Sequence, residues 1–85
     1  MNPTYSLSKH AVERMRSRKI SESMIFDAIK DPDHVRNESK CIRIYQKMIT
    51  ENGVKFLLRV FLNICKQPEL VITAYKTTKL DKYGY

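Results

Sequence analysis

The sequence predicts an α+β domain: an N-terminal helical hairpin packed on a curved antiparallel sheet of three to four strands. Two observations carry this. The first third places apolar residues at helical spacing behind two serines suited to capping. The remainder consists of β-branched and aromatic runs separated by turn residues. With 85 residues the chain is expected to form a single domain, 1–85, with a core at about 5–78 and a basic C-terminal tail at 79–85.

Tyr5 and Leu7 alternate with small polar residues, so 4–7 reads as a short strand. Ser8 then caps a first helix, with Leu7 before the cap and Val12 inside it as a hydrophobic staple. Ala11, Val12 and Met15 form its apolar side, while His10, Arg14 and Arg18 drift toward the edge of that side at about 100° per residue. Arg18 should lie nearest the core. Ser21 caps a second helix with an Ile25, Ala28 and Ile29 stripe, and Asp31-Pro32 stops it. Three strands follow at 41–49, 54–63 and 70–76. Glu51-Asn52-Gly53 is a hairpin turn signal, and Lys66 to Glu69 a looser one. His34, after Pro32-Asp33, reads as a surface loop residue.

Sixteen Lys and Arg against nine Asp and Glu give a net charge of +7, which points to a phosphate-bearing partner, most often nucleic acid. No stretch reaches the roughly 20 apolar residues of a membrane span, and the first ten residues lack an apolar signal region. A cytoplasmic protein without a membrane partner is therefore expected. The two cysteines, Cys41 and Cys65, and the two histidines have no metal-ligand spacing, so neither metal nor cofactor is expected. Reduced thiols are expected rather than a disulfide.

Period-two alternation divides the strands into two faces. Ile42, Ile44, Met48, Phe56, Leu58, Val60, Leu62, Leu70, Ile72 and Ala74 make an apolar face for the helices to cover. Arg43, Tyr45, Lys47, Lys55, Leu57, Arg59, Phe61, Val71, Thr73 and Tyr75 make a mixed face. Cations interleaved with rings suit RNA, the cations taking phosphate and the rings taking bases. Arg43, Tyr45, Lys47, Lys55, Thr73, Lys76, Thr78 and Lys79 are the expected RNA-binding residues.

The stretches SKHAVERMRSRKIS, AIKDPD and VITAYKTTKLDKY resemble the small bacterial family called domain of unknown function 4258. Its pattern opens His-Ala-x-x-Arg-Met-x-x-Arg-x-Ile-Ser and closes Ile-Thr-x-Tyr-Lys-Thr-Ser-Lys, and Thr78 stands here where that pattern has serine. The likeness runs from Leu7 to about Tyr83; its ends are specific and its middle strands generic. That family is similar to RelE-like toxins, within a wider group of small ribonucleases. The resemblance implies a RelE-like fold and metal-independent RNA cleavage, with RNA or the ribosome as target and a small acidic antitoxin as partner. It carries His10, Arg14, Arg18 and Tyr75 forward as catalytic residues; Arg59 joins them from the strand alternation.

Metal-free cleavage uses the neighbouring 2′-hydroxyl as nucleophile. Histidine is the natural acid or base near neutral pH. Arginine keeps its proton, so Arg14, Arg18 and Arg59 would hold phosphate or stabilise the transition state. Tyr75 or Tyr45 would donate a hydrogen bond or stack a base, and Lys47 and Lys76 would orient phosphate. Plainer readings stand beside these. His10 is a solvated helix residue, Arg14 and Arg18 pair with Glu13, Glu22 or Asp27, and Tyr75 packs at a sheet edge. The competing functions are an RNA- or protein-binding module without catalysis and a structural protein. His10 can join Arg59 and Tyr75 only if the first helix lies at the sheet's edge.

Overall fold

A computed structural model describes residues 5–83. Its order is β1 (Tyr5–Leu7), α1 (Lys9–Arg18), α2 (Glu22–Lys30), β2 (His34–Asn37), β3 (Ile42–Glu51), β4 (Val54–Asn63), β5 (Glu69–Thr77) and a short 3-10 turn, Asp81–Tyr83. The strands form one five-stranded sheet in the order β1-β5-β4-β3-β2. The expected three- to four-stranded antiparallel sheet is thus corrected to a five-stranded mixed one. β1 runs parallel to β5, because the chain returns to it only after both helices and the whole meander. The expected loop at His34 is an edge strand, β2, antiparallel to β3. Thr4, the first residue of the expected N-terminal strand, lies outside the described residues.

Both helices begin where the serines predict. Ser8 Oγ accepts from Ala11 N at 3.0 Å and Ser21 Oγ from Met24 N at 3.2 Å, each taking up a donor that the first turn cannot satisfy. Asp31 follows the last residue of α2, ahead of Pro32. α1 lies against β5, and α2 against β3 and β4. Ala11, Met15, Ile20, Ile25 and Ala28 interlock with Leu58, Val60, Leu62, Val71 and Ala74 in one buried cluster. Tyr45 and Ile49 of β3 pack on the same cluster.

That cluster overturns part of the expected face assignment. Asn52 and Gly53 form a two-residue turn with φ of 51° and 79°, the paired positive values of a type I′ hairpin. It sets Glu51 opposite Val54, and every later pair then matches an odd-numbered residue with an even-numbered one. Tyr45 accordingly faces Val60, on the helix side, whereas Ile44 faces Phe61 and Gln46 faces Arg59 on the far side. Ile42, Ile44 and Met48 move to the far face; Arg43, Tyr45 and Lys47 move to the helix face. A second shift occurs in β5. Phe61 pairs with Thr73 but Leu62 with Val71, so Ile72 is the extra residue of a bulge, and Val71 and Ala74 both enter the core.

Cys41 and Cys65 form a disulfide, which corrects the expectation of free thiols. They stand just outside the last β3–β4 pair, Ile42 and Asn63, and Ile64 N bonds Cys41 O at 2.8 Å. This carries the two Cα atoms to 5.2 Å, within bridging reach.

Candidate nucleic-acid interface

The far face, which neither helix covers, holds a row of side chains set by strand register alone. His34 lies opposite Gln46, Gln46 opposite Arg59, and Arg59 opposite Tyr75. Directly opposed residues project to the same face, about 4.5–5.5 Å apart at Cβ. The row therefore crosses four strands with an imidazole at one end and a phenol at the other. The next row is Arg36, Ile44, Phe61 and Thr73.

Among the described residues, Gln46 and Arg59 are the two buried polar ones, 3% and 7% exposed. A buried guanidinium is costly unless its donors are used. Arg59 Nε donates to Gln46 Oε1 at 2.9 Å, and its Nη1 donates to the Tyr75 hydroxyl. Its carbon lies 5.4 Å from the Phe61 ring centre and 5.6 Å from that of Tyr75. Those two rings are 5.9 Å apart and tilted by 30°. Arg59 thus fixes the place and direction of Tyr75.

The α1 file occupies a different place. Beyond Val71, β5 has no further β1 partner, so its outer edge exposes main-chain carbonyls. Ser8 N takes Val71 O at 3.0 Å and Ser8 Oγ approaches Ile72 O at 3.4 Å. Arg18 Nη1 takes Ala74 O at 2.8 Å. Arg18 is the half-buried member of the file, as its helical position predicts, and it serves the main chain beside Tyr75. His10 and Arg14 are exposed, and Arg14 Nε donates to His10 Nε2 at 3.3 Å. α1 therefore runs beside the free edge of the strand that carries Tyr75.

The other expected RNA-binding residues separate. Arg43, Tyr45, Lys47 and Lys76 lie on the helix face. Arg43 Nε bonds Asn37 Oδ1 at 3.0 Å, and the Tyr45 side chain beside it favours its charged form, pushing its pKa above the ordinary arginine value. Lys47 Nζ donates to Asp31 O at 2.7 Å, and Lys76 Nζ meets Glu51 Oε1 at 2.9 Å over the Phe56 ring. Lys55 and Thr73 belong to the far face, while Thr78 and Lys79 follow β5 and are exposed. A groove of about 410 Å³ lined by Tyr5, Ser6, Leu7, Val12 and Glu22 contains none of these residues.

With these positions fixed, the match to known families can be placed on the fold. The family described as Domain of unknown function (DUF4258) matches residues 7–76, from the last residue of β1 to Lys76 in β5. The chain belongs to that family. The matched span includes the α1 file, the whole cross-strand row and its Arg59–Tyr75 contact. No curated protein and no solved structure matches the chain. His34 and Gln46 are the row members that sequence reasoning passed over. The signal for Gln46 was the two-residue turn, which fixes its parity against Arg59; β2 is too short and too polar to give one for His34.

No helix among the described residues is long and apolar enough to cross a membrane.

Proposed function

We propose that this protein acts on RNA, cleaving it without a metal in the manner of a RelE-like toxin or a ribonuclease-like relative of one. The observation that supports this most is the direct contact between Arg59 and Tyr75 on the far face. Two groups nominated separately, one by strand alternation and one by family pattern, meet there. In this reading Tyr75 donates to a phosphate oxygen or stacks a base, and the guanidinium behind it favours negative charge nearby. Lys55 on the far face and the exposed Lys79 beyond β5 hold the backbone, and the net charge of +7 draws the polyanion in. A cytoplasmic location, the ribosome as a platform and a small acidic antitoxin as partner belong to the same proposal.

One observation favours a second reading, a module that binds RNA or an acidic protein without cleaving. The Arg59 guanidinium is buried and already donates to Gln46 and Tyr75, which stiffens a surface as readily as it assists a reaction. The experiment is cleavage of total RNA by purified protein with a chelator present, beside Tyr75→Phe. Discrete fragments that weaken in the variant support the nuclease. Salt-sensitive RNA binding with no fragments, free or on ribosomes, supports the binding module.

A further inference from the structure

The sequence nominates His10 as the imidazole of the site, yet the fold puts the other histidine on the face that carries Arg59 and Tyr75. We propose that His34, on β2, is the proton-transfer residue for RNA bound across the far face, an inference that rests on the RNA-cleaving reading above.

Register makes the argument. His34 shares its row with Gln46, Arg59 and Tyr75, whereas His10 belongs to α1, which buries Ala11 and Met15 on the helix face and borders only the outer edge of β5. Strands lie about 4.8 Å apart, so His34 stands about 10 Å from Arg59 at the backbone, with buried Gln46 as the floor between them. That gap suits one phosphodiester group, reached by the imidazole from one side and by the guanidinium field from the other. β2 is an edge strand whose four residues are all exposed, so the imidazole can meet a large substrate. His10 Nε2 by contrast accepts from Arg14.

The surroundings of His34 also fit. Arg36, two residues along the same strand, projects to the same face, and its contact with Glu38 is a loose 3.8 Å between exposed groups that a phosphate can displace. The nearby Asp33 carboxylate is taken up by Met48 N at 2.7 Å. Lys47, on the neighbouring strand, points to the opposite face and is held by Asp31.

The step balances without an added reagent. The imidazole of His34 takes the proton of the 2′-hydroxyl, and O2′ forms its bond to phosphorus. The P–O5′ bond breaks, and the imidazolium returns the proton to the leaving O5′. The products are a 2′,3′-cyclic phosphate and a free 5′-hydroxyl.

The test is cleavage of a single-stranded RNA, free and on ribosomes, by wild type, His34→Ala and His10→Ala, with circular dichroism and RNA affinity measured for each. The expected result is a loss of 100-fold or more in His34→Ala, with fold retained and affinity within about three-fold, and a change below about five-fold in His10→Ala. Cleavage by His34→Ala at the wild-type rate overturns this inference and leaves the RNA-cleaving reading intact. A large loss in His10→Ala alone reassigns the proton transfer to α1. Absence of cleavage by wild type in both settings overturns the inference together with the reading beneath it.

Discussion

The two faces of this sheet are ordered by different forces. On the helix face Leu58, Val60, Leu62, Val71 and Ala74 meet aliphatic side chains of α1 and α2, and order follows from apolar area removed from water. On the far face Ile44 and Leu57 are also fully buried, but beside them the centre holds a buried guanidinium and a buried amide. There order comes from direction: Arg59 points its Nε at Gln46 and its Nη1 at Tyr75, and a buried donor is costly to leave unused. The helix face is held by filled volume. The far face specifies where a phenol stands, and that is the property a binding or reacting surface needs.

Substitutions on each side should separate the two kinds of order. Leu58→Ala, at a fully buried position facing the helices, is expected to cost about 2–5 kcal/mol in denaturant unfolding, through lost transfer energy and the cavity left behind. Arg59→Met on the far face keeps most of the volume but strands the Gln46 oxygen, for an expected loss of about 1–3 kcal/mol. A loss as large as that of Leu58→Ala would mean that the network, rather than the aliphatic layer, dominates the fold. At the border between the faces, Arg18→Ala uncovers the Ala74 carbonyl and is expected to cost about 1 kcal/mol, read from the same unfolding curves.

The smallest effect concerns pH at the β1 edge. Burial raises the Tyr5 phenol above its ordinary 10.0, and the carboxylates of Glu22 and Asp27 add to this. The fold thus prefers the neutral phenol. That contribution is fully present below pH 10 and is lost as pH rises through the raised value. Melting temperature measured between pH 9 and 11 should fall more steeply for wild type than for Tyr5→Phe. Identical slopes would show that ionisation of Tyr5 is not opposed by the fold.

Much of this architecture was legible where local chemistry decides it. Ser8, Ser21 and Asp31-Pro32 mark the helices, and β4 runs from Val54 to Asn63 as its composition predicts. What escaped was decided at a distance. Alternation shows that a strand has two sides but not which side meets the helices, and in β3 the richer aliphatic set, Ile42, Ile44 and Met48, lies away from them. The bulge at Ile72 reverses parity within β5 with no glycine to announce it. The parallel β1–β5 pairing and the Cys41–Cys65 bridge join segments far apart in the chain. In the candidate site, Arg59 was nominated by the alternation of β4 and Tyr75 by the family resemblance, and the register past the bulge sets the two opposite each other. His34 was not nominated, since its strand exists only through β3.

The Asn52-Gly53 turn has a consequence for how the length of this chain can change. A residue inserted at the tip leaves Glu51 opposite Val54 and only lengthens the loop, since hairpin loops of three to five residues are common. A residue inserted within β3 beyond Gln46 instead turns over every position before it, sending Gln46 into the aliphatic layer and Tyr45 onto the far face. The length of this chain can therefore change at the tip at little cost, whereas inside the strand a single added residue exchanges one face for the other.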